Sequence, residues 1–217
     1  MTLRGGSIAA GPVWAISDRR DIQHGFEPAD EAEETRASRL RRSDDAADFL
    51  HSRWLMRQLI QQSRPQAGKP AVISYDDAPP ELVGVPDTAI SWSKSGPVAA
   101  SALIENAVIG IDIERLIPRE TGAILSMTAS DSEAETVASA GNEAARLVAF
   151  YRLWTAKEAV LKCRGEGLRG GAKSVEIATD FILGRVSEKT IEDRGLSLRL
   201  SVIDAGPGAV CTAAFSA

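Results

Sequence analysis

The sequence predicts an α+β protein built from two similar halves, and three observations carry that prediction. Each half runs from a long helical pattern through a loop into strands: "DDAADFLHSRWLMRQLI" precedes "AISWS" and "PVAASAL", and "FYRLWTAKEAVLK" precedes "LSLRLSVI" and "AVCTAAF". Aligning Trp54 with Trp154 sets Arg57 on Lys157 and Gln58 on Glu158. "GPVAASA" near the end of the first half parallels "GAVCTAA" near the end of the second. A duplicated unit of this kind is expected to form a pseudo-twofold internal dimer, with halves at 1–107 and 108–217 and a cleft along the seam. Only the second half has a carboxylate at the matched helix position, so one active site is expected rather than two.

The elements follow in order. "PVWAIS" alternates as a first strand and is followed by an acidic, alanine-rich helical stretch through Arg42. The long helix after it takes Asp44 or Asp45 as its cap. "RPQAGKP" is a proline and glycine loop, leading to strands at "AVISY", "AISWS" and "PVAASAL". "AVIGIDIERL" is the strand that opens the second half. A polar loop is expected from Pro118 to about Asn142, then a long helix through Lys162, the glycine-rich "RGEGLRGG", and strands near "SVEIA", "LSLRLSVI" and "AVCTAAF".

Composition excludes several classes. The 217 residues are 44% hydrophobic and 25% charged with a formal charge of -5, which fits a globular protein and argues against nonspecific nucleic-acid binding. No apolar run approaches the roughly 18 residues of a membrane span, and "MTLRGGSIAAGPVWAISD" lacks the apolar core of a secretory signal. The expectation is a cytoplasmic protein acting without membrane or nucleic acid. Two cysteines and two histidines make a poor soft-metal site, so any metal should be hard and carboxylate-held. The arginines of "RASRLRRSDD" form a local basic cluster, read either as a solvated helix face or as a site for a small polyanion.

Strand alternation in "GIDIE" sends Ile109, Ile111 and Ile113 to one face and Gly110, Asp112 and Glu114 to the other. An edge strand with one polar face would look the same. Two carboxylates side by side also suit magnesium that keeps open positions for substrate phosphates, and Glu158 would complete a three-carboxylate set. In "FYRLWTAKEAVLK" the 3.6-residue repeat puts Lys157 in the middle of an apolar stripe, with Glu158 and Lys162 one turn apart at its border. Alone, that pattern is equally a snorkelling lysine beside an ordinary i, i+4 pair. Beside the carboxylates, Lys157 and Lys162 become candidates to neutralise a pyrophosphate while a carboxylate activates an attacking hydroxyl.

"GIDIE" followed by "WTAKEAVLK" and "GEGL" resembles the two-part signature of the 4'-phosphopantetheinyl transferases, G-x-D and W-[ST]-x-K-E-[AS]-x-x-K. The length and duplication resemble the monomeric, surfactin-synthetase-activating type, so a monomer with the fold of that family is expected. The resemblance implies transfer of the phosphopantetheine arm of coenzyme A to a serine of an apo acyl or peptidyl carrier protein, with magnesium as cofactor and adenosine 3',5'-bisphosphate released. It also implies roles. Asp112, Glu114 and Glu158 would hold the metal, and Glu158 would activate the serine. Lys162 would contact the phosphates and assist the leaving group, while Trp154 and Lys157 match motif positions of a largely structural kind. Lys69, Arg36, Arg42, Ser93 and Lys94 would contact coenzyme A. Two departures stand out: "SKSG" puts Lys94 where the family has histidine, and Asp48 stands where the family often has arginine. A non-catalytic paralogue that binds coenzyme A or a carrier, and a magnesium-dependent phosphohydrolase, are the competing expectations. Candidate carrier contacts are Ile124, Leu125, Met127 and the segment after Gly165.

Overall fold

The computed structural model describes residues 4–68, 70–73, 78–165 and 171–216. Among them lie ten strands and six α-helices in α+β arrangement. In the first part of the chain these are β1 (Arg4–Ser7), β2 (Val13–Asp18), α1 (Glu31–Ser38), α2 (Ser43–Ser63), β3 (Val72–Ile73), β4 (Glu81–Leu82), β5 (Thr88–Ser95) and β6 (Val98–Glu105). Next come β7 (Ile109–Arg115), α3 (Gly122–Thr128), α4 (Asp131–Ser139), α5 (Glu143–Arg164), α6 (Thr179–Ile182), β8 (Glu188–Asp193), β9 (Leu196–Ile203) and β10 (Ala209–Ser216). Two antiparallel four-stranded sheets result, ordered β1-β2-β6-β5 and β7-β10-β9-β8, with β3 and β4 forming a short pair.

The two sheets repeat one plan. In each, a strand that precedes the helices lies at the side of a later hairpin: β2 against β6 and β5, β7 against β10 and β9. The long helices cover their own sheets, α2 through Leu55, Met56 and Leu59 against Ala99 and Leu103, and α5 through Phe150, Leu153 and Val160 against Leu198, Leu200 and Ala214. The inner sheet faces meet through Ile16, Ala100, Ile109, Ile111, Ile113, Ala213 and Phe215. The repeat reaches the caps: Glu33 bonds back to the backbone N–H of Ala29 while Asp30 caps α1, and Glu133 bonds back to Ser130 while Ser130 caps α4.

Several expectations need correction. The polar stretch from Pro118 to Asn142 contains α3 and α4, the second opened by a full capping box. "SVEIA" forms no strand: Ser174 ends a 3-10 turn at Ala172–Ser174 and the rest is irregular chain, with Val175 and Ile177 buried in the core shared with α4 and α5 instead of joining a ladder. The helix before Arg42 is shorter than expected, and α2 begins with Arg42 at its cap position, so Asp44 and Asp45 sit in the first turn. Acidic groups still favour that end through the helix dipole. Among the described residues no helix is long and apolar enough to cross a membrane.

Candidate active site

The site begins with how closely β7 and α5 approach. Ile109, Ile111 and Ile113 fill the space between the sheets, so the alternate residues Gly110, Asp112 and Glu114 turn towards α5. A Cβ on Gly110 would lie 1.9 Å from the carbonyl oxygen of Ala159. Glycine is what lets the helix backbone rest on the strand, and that contact brings Glu158 and Lys162 to Asp112. The helix itself is well terminated: Asn142 accepts from the N–H of Ala145, and Gly165 closes the other end at φ 70°.

Lys162 Nζ donates to Asp112 Oδ1 at 2.7 Å and to the carbonyl of Ile111 at 2.9 Å. From the neighbouring strand β5, Ser93 Oγ donates to the same Asp112 oxygen at 2.7 Å, and Ser95 Oγ donates to Glu114 Oε2 at 2.6 Å. Burial and the charges of Asp112 and Glu114, offset in part by Lys162, push the Glu158 carboxyl up to about 7. Burial also raises Glu114, and its hydrogen bonds to Ser95 and Trp154 oppose the shift. Asp112 Oδ2 and Glu158 Oε1 are buried with no hydrogen-bond partner. Unpaired anionic oxygens in a buried place are costly unless a cation reaches them, so these two suit a hard metal ion. Among the described residues, however, no three acidic side chains are gathered as a ready-made metal cluster. Lys162 and Ser93 share Asp112 Oδ1, and Ser95 holds Glu114 Oε2.

Other expected participants lie elsewhere. Lys157 does not face the carboxylates of the site. It is 1% exposed, pairs with Glu133 at 2.7 Å and donates to the carbonyls of Ala172 and Val175, with burial holding its ammonium below the usual lysine range. Its partner is supplied by α4, which sequence reasoning placed inside a loop. Lys94 is exposed, and alternation turns it to the opposite face of β5 from Ser93 and Ser95. That face also carries Ile90 and Trp92 and packs on α2. The turn after β5 starts at Gly96, which has a φ of 56°. Arg36 is exposed on α1 and Arg42 is exposed where α2 begins. Lys69, and the part of "GEGL" beyond Gly165, lie outside the described residues. Asp48, the acidic departure, accepts from Arg19 Nε at 2.7 Å, so a neighbouring element supplies the cation missing from that position. Ser95 was missed as a site residue. The signal was available: it is two residues from Ser93 in a strand and therefore on the same face.

A model of the 4'-phosphopantetheinyl transferase superfamily matches residues 108–213, the stretch that supplies β7 and α5. The second half of the chain thus carries a domain similar to that superfamily. A provisionally named 4'-phosphopantetheinyl transferase of Synechocystis sp., slr0495, is 29% identical over 171 residues, covering 75% of this chain and 68% of the relative. That similarity extends well into the first half. The 4'-phosphopantetheinyl transferases AcpT of Salmonella typhi and Salmonella typhimurium are each 28% identical over 112 residues, 52% of this chain and 58% of theirs. The superfamily uses coenzyme A as substrate and acts on carrier proteins, and the chain is a transferase of that class.

Proposed function

We propose that this transferase moves the 4'-phosphopantetheine arm of coenzyme A to a serine hydroxyl of an apo acyl or peptidyl carrier protein in a magnesium-dependent reaction. Its products are holo carrier protein and adenosine 3',5'-bisphosphate. The observation that carries the reading is the pair of buried, partnerless oxygens, Asp112 Oδ2 and Glu158 Oε1, beside the Lys162 ammonium. Asp112, Glu114 and Glu158 would hold the ion, which when bound supplies positive charge to the pyrophosphate.

The remaining work falls to the chain's own groups. The serine oxygen forms a bond to the phosphorus that bears the pantetheine, and the bond from that phosphorus to the bridging oxygen breaks. Glu158 is the carboxylate assigned to accept the serine proton. Lys162 is half-buried and within reach of the carboxylates, so its ammonium can stabilise charge on the leaving phosphate. Arg36, Arg42, Lys69 and Lys94 are the cations we assign to coenzyme A. In this division the part before residue 108 contributes to coenzyme A binding and the part after it supplies metal and catalytic groups. A monomer acting in the cytoplasm, on carrier proteins rather than on nucleic acid or membrane, completes the proposal.

The test is to incubate the chain with coenzyme A, magnesium and an apo carrier protein and to weigh the carrier. A gain of one phosphopantetheine is expected. Coenzyme A binding without any gain would make the chain a non-catalytic paralogue. Phosphate release without a carrier would make it a phosphohydrolase.

A further inference from the structure

We propose that Ser93 and Ser95 are positioning residues that aim the carboxylates of Asp112 and Glu114 at the metal, rather than ligands of coenzyme A. The inference rests on the function proposed above and assigns the serines a different task within it. β7 is an end strand of its sheet, and the backbone groups on its outer side have no ladder partner there. Serine hydroxyls of β5 take up that role. The N–H of Ile111 donates to Ser91 Oγ at 3.0 Å and the N–H of Arg115 donates to Ser95 Oγ at 3.2 Å. Residues 91, 93 and 95 share one face of β5 by alternation, so three hydroxyls form a row along the outer side of β7.

A hydroxyl has a single proton to give. Ser93 gives its proton to Asp112 Oδ1 and Ser95 gives its proton to Glu114 Oε2, so neither can donate to a phosphate at the same time. With Lys162 also on Asp112 Oδ1, that oxygen is fully engaged, and Oδ2 is the one left free. The serines thereby choose which carboxylate oxygens are presented and fix their rotation, as partners of ligating groups generally do. They come from the sheet of the first half, so aiming the carboxylates requires both sheets.

The experiment measures binding of Mn2+ alone to the full chain by electron paramagnetic resonance, then the magnesium concentration for half-maximal transfer, the KM for coenzyme A and the Tm. Ser93→Ala and Ser95→Ala are each expected to weaken Mn2+ binding and raise the half-saturating magnesium by about 10-fold. At saturating magnesium the KM for coenzyme A should stay within about twofold of wild type. Ser93→Thr, which keeps the hydroxyl, should restore the wild-type metal affinity. Ser91→Ala touches no carboxylate and should lower Tm while leaving Mn2+ affinity unchanged. Unaltered Mn2+ affinity in Ser93→Ala and Ser95→Ala with a raised KM for coenzyme A overturns the inference alone, because the serines would then read the substrate. Equal weakening in Ser91→Ala also overturns it, reducing the row to strand packing. A wild-type chain that neither binds Mn2+ nor transfers the arm overturns the proposed function and this inference together.

Discussion

Replacing Gly110 by alanine should break the site by lifting the helix that carries half of it. The added Cβ would sit 1.9 Å from the carbonyl oxygen of Ala159 and 2.9 Å from the amide nitrogen of Cys163. Both are backbone atoms in the last two turns of α5 and have no rotamer by which to step aside. Ordinary contact begins near 3.4 Å, so strand and helix must part by about 1.5 Å. Overpacking of this kind costs about 1–3 kcal/mol, and an obstruction made of backbone belongs at the upper end. The same movement carries Lys162 away from Asp112, opening a contact of 2.7 Å, and shifts Glu158 with it. Displacements of about 1 Å in catalytic groups cost about 100-fold in rate. Urea melts give the stability, and turnover measured well below the unfolding transition gives the catalytic loss. A Gly110→Ala chain with wild-type midpoint would refute the close seat. Wild-type turnover in a destabilised chain would refute the idea that this seat sets the geometry of the site.

Asp112→Ala and Glu158→Ala should each abolish transfer, as mass measurement of the carrier checks, and a thermal melt of Glu158→Ala should show no loss of Tm, since that change removes an uncompensated buried oxygen. Glu133→Gln should cost about 3–5 kcal/mol by leaving the Lys157 ammonium buried without its counter-charge, read from urea unfolding. His51 is fully buried, bonds Ser17 Oγ through Nε2 and has its pKa pushed down to about 4, chiefly by burial. Because the unfolded histidine takes up a proton near 6.5 and the folded one resists until about 4, stability should fall as pH drops through that window, by up to about 3 kcal/mol. His51→Gln should flatten that part of the stability profile, as followed by urea midpoints across pH.

What could be read from the sequence was local and periodic. "GIDIE" needs only alternation to place two carboxylates on one face with Gly110 between strand and helix. The border position of Glu158 and Lys162 follows from the helical repeat. Lys157 was harder, because its partner Glu133 lies on another helix and a one-dimensional pattern shows that a charge is buried without showing what meets it. Helices α3 and α4 were hidden because short helices are held by caps and tertiary packing more than by an apolar stripe. The Glu133 capping box was present in the letters "SDSE" and would have revealed α4. The hydroxyl row of β5 was legible as alternation but not as function, since nothing in the sequence says that its face meets the outer side of another sheet's end strand.

Glu33 and Glu133 each close the first turn of one helix and neutralise a cation on the next, Arg57 and Lys157 respectively. One carboxylate thus ties the start of a helix to the docking of its neighbour, and neither event can be undone without the other. The grip differs between the halves: the Lys157 and Glu133 side chains are 1% and 3% exposed, whereas those of Arg57 and Glu33 are 28% and 14% exposed. Water can replace the first-half pair and cannot easily replace the other. Fraying at α1 is therefore a local matter, while fraying at α4 strands an ammonium in the core and draws α5, with Glu158 and Lys162, into the same opening event. In native-state hydrogen exchange the amides of α1 should exchange through small fluctuations, and those of α4 only together with the helix that bears the catalytic groups.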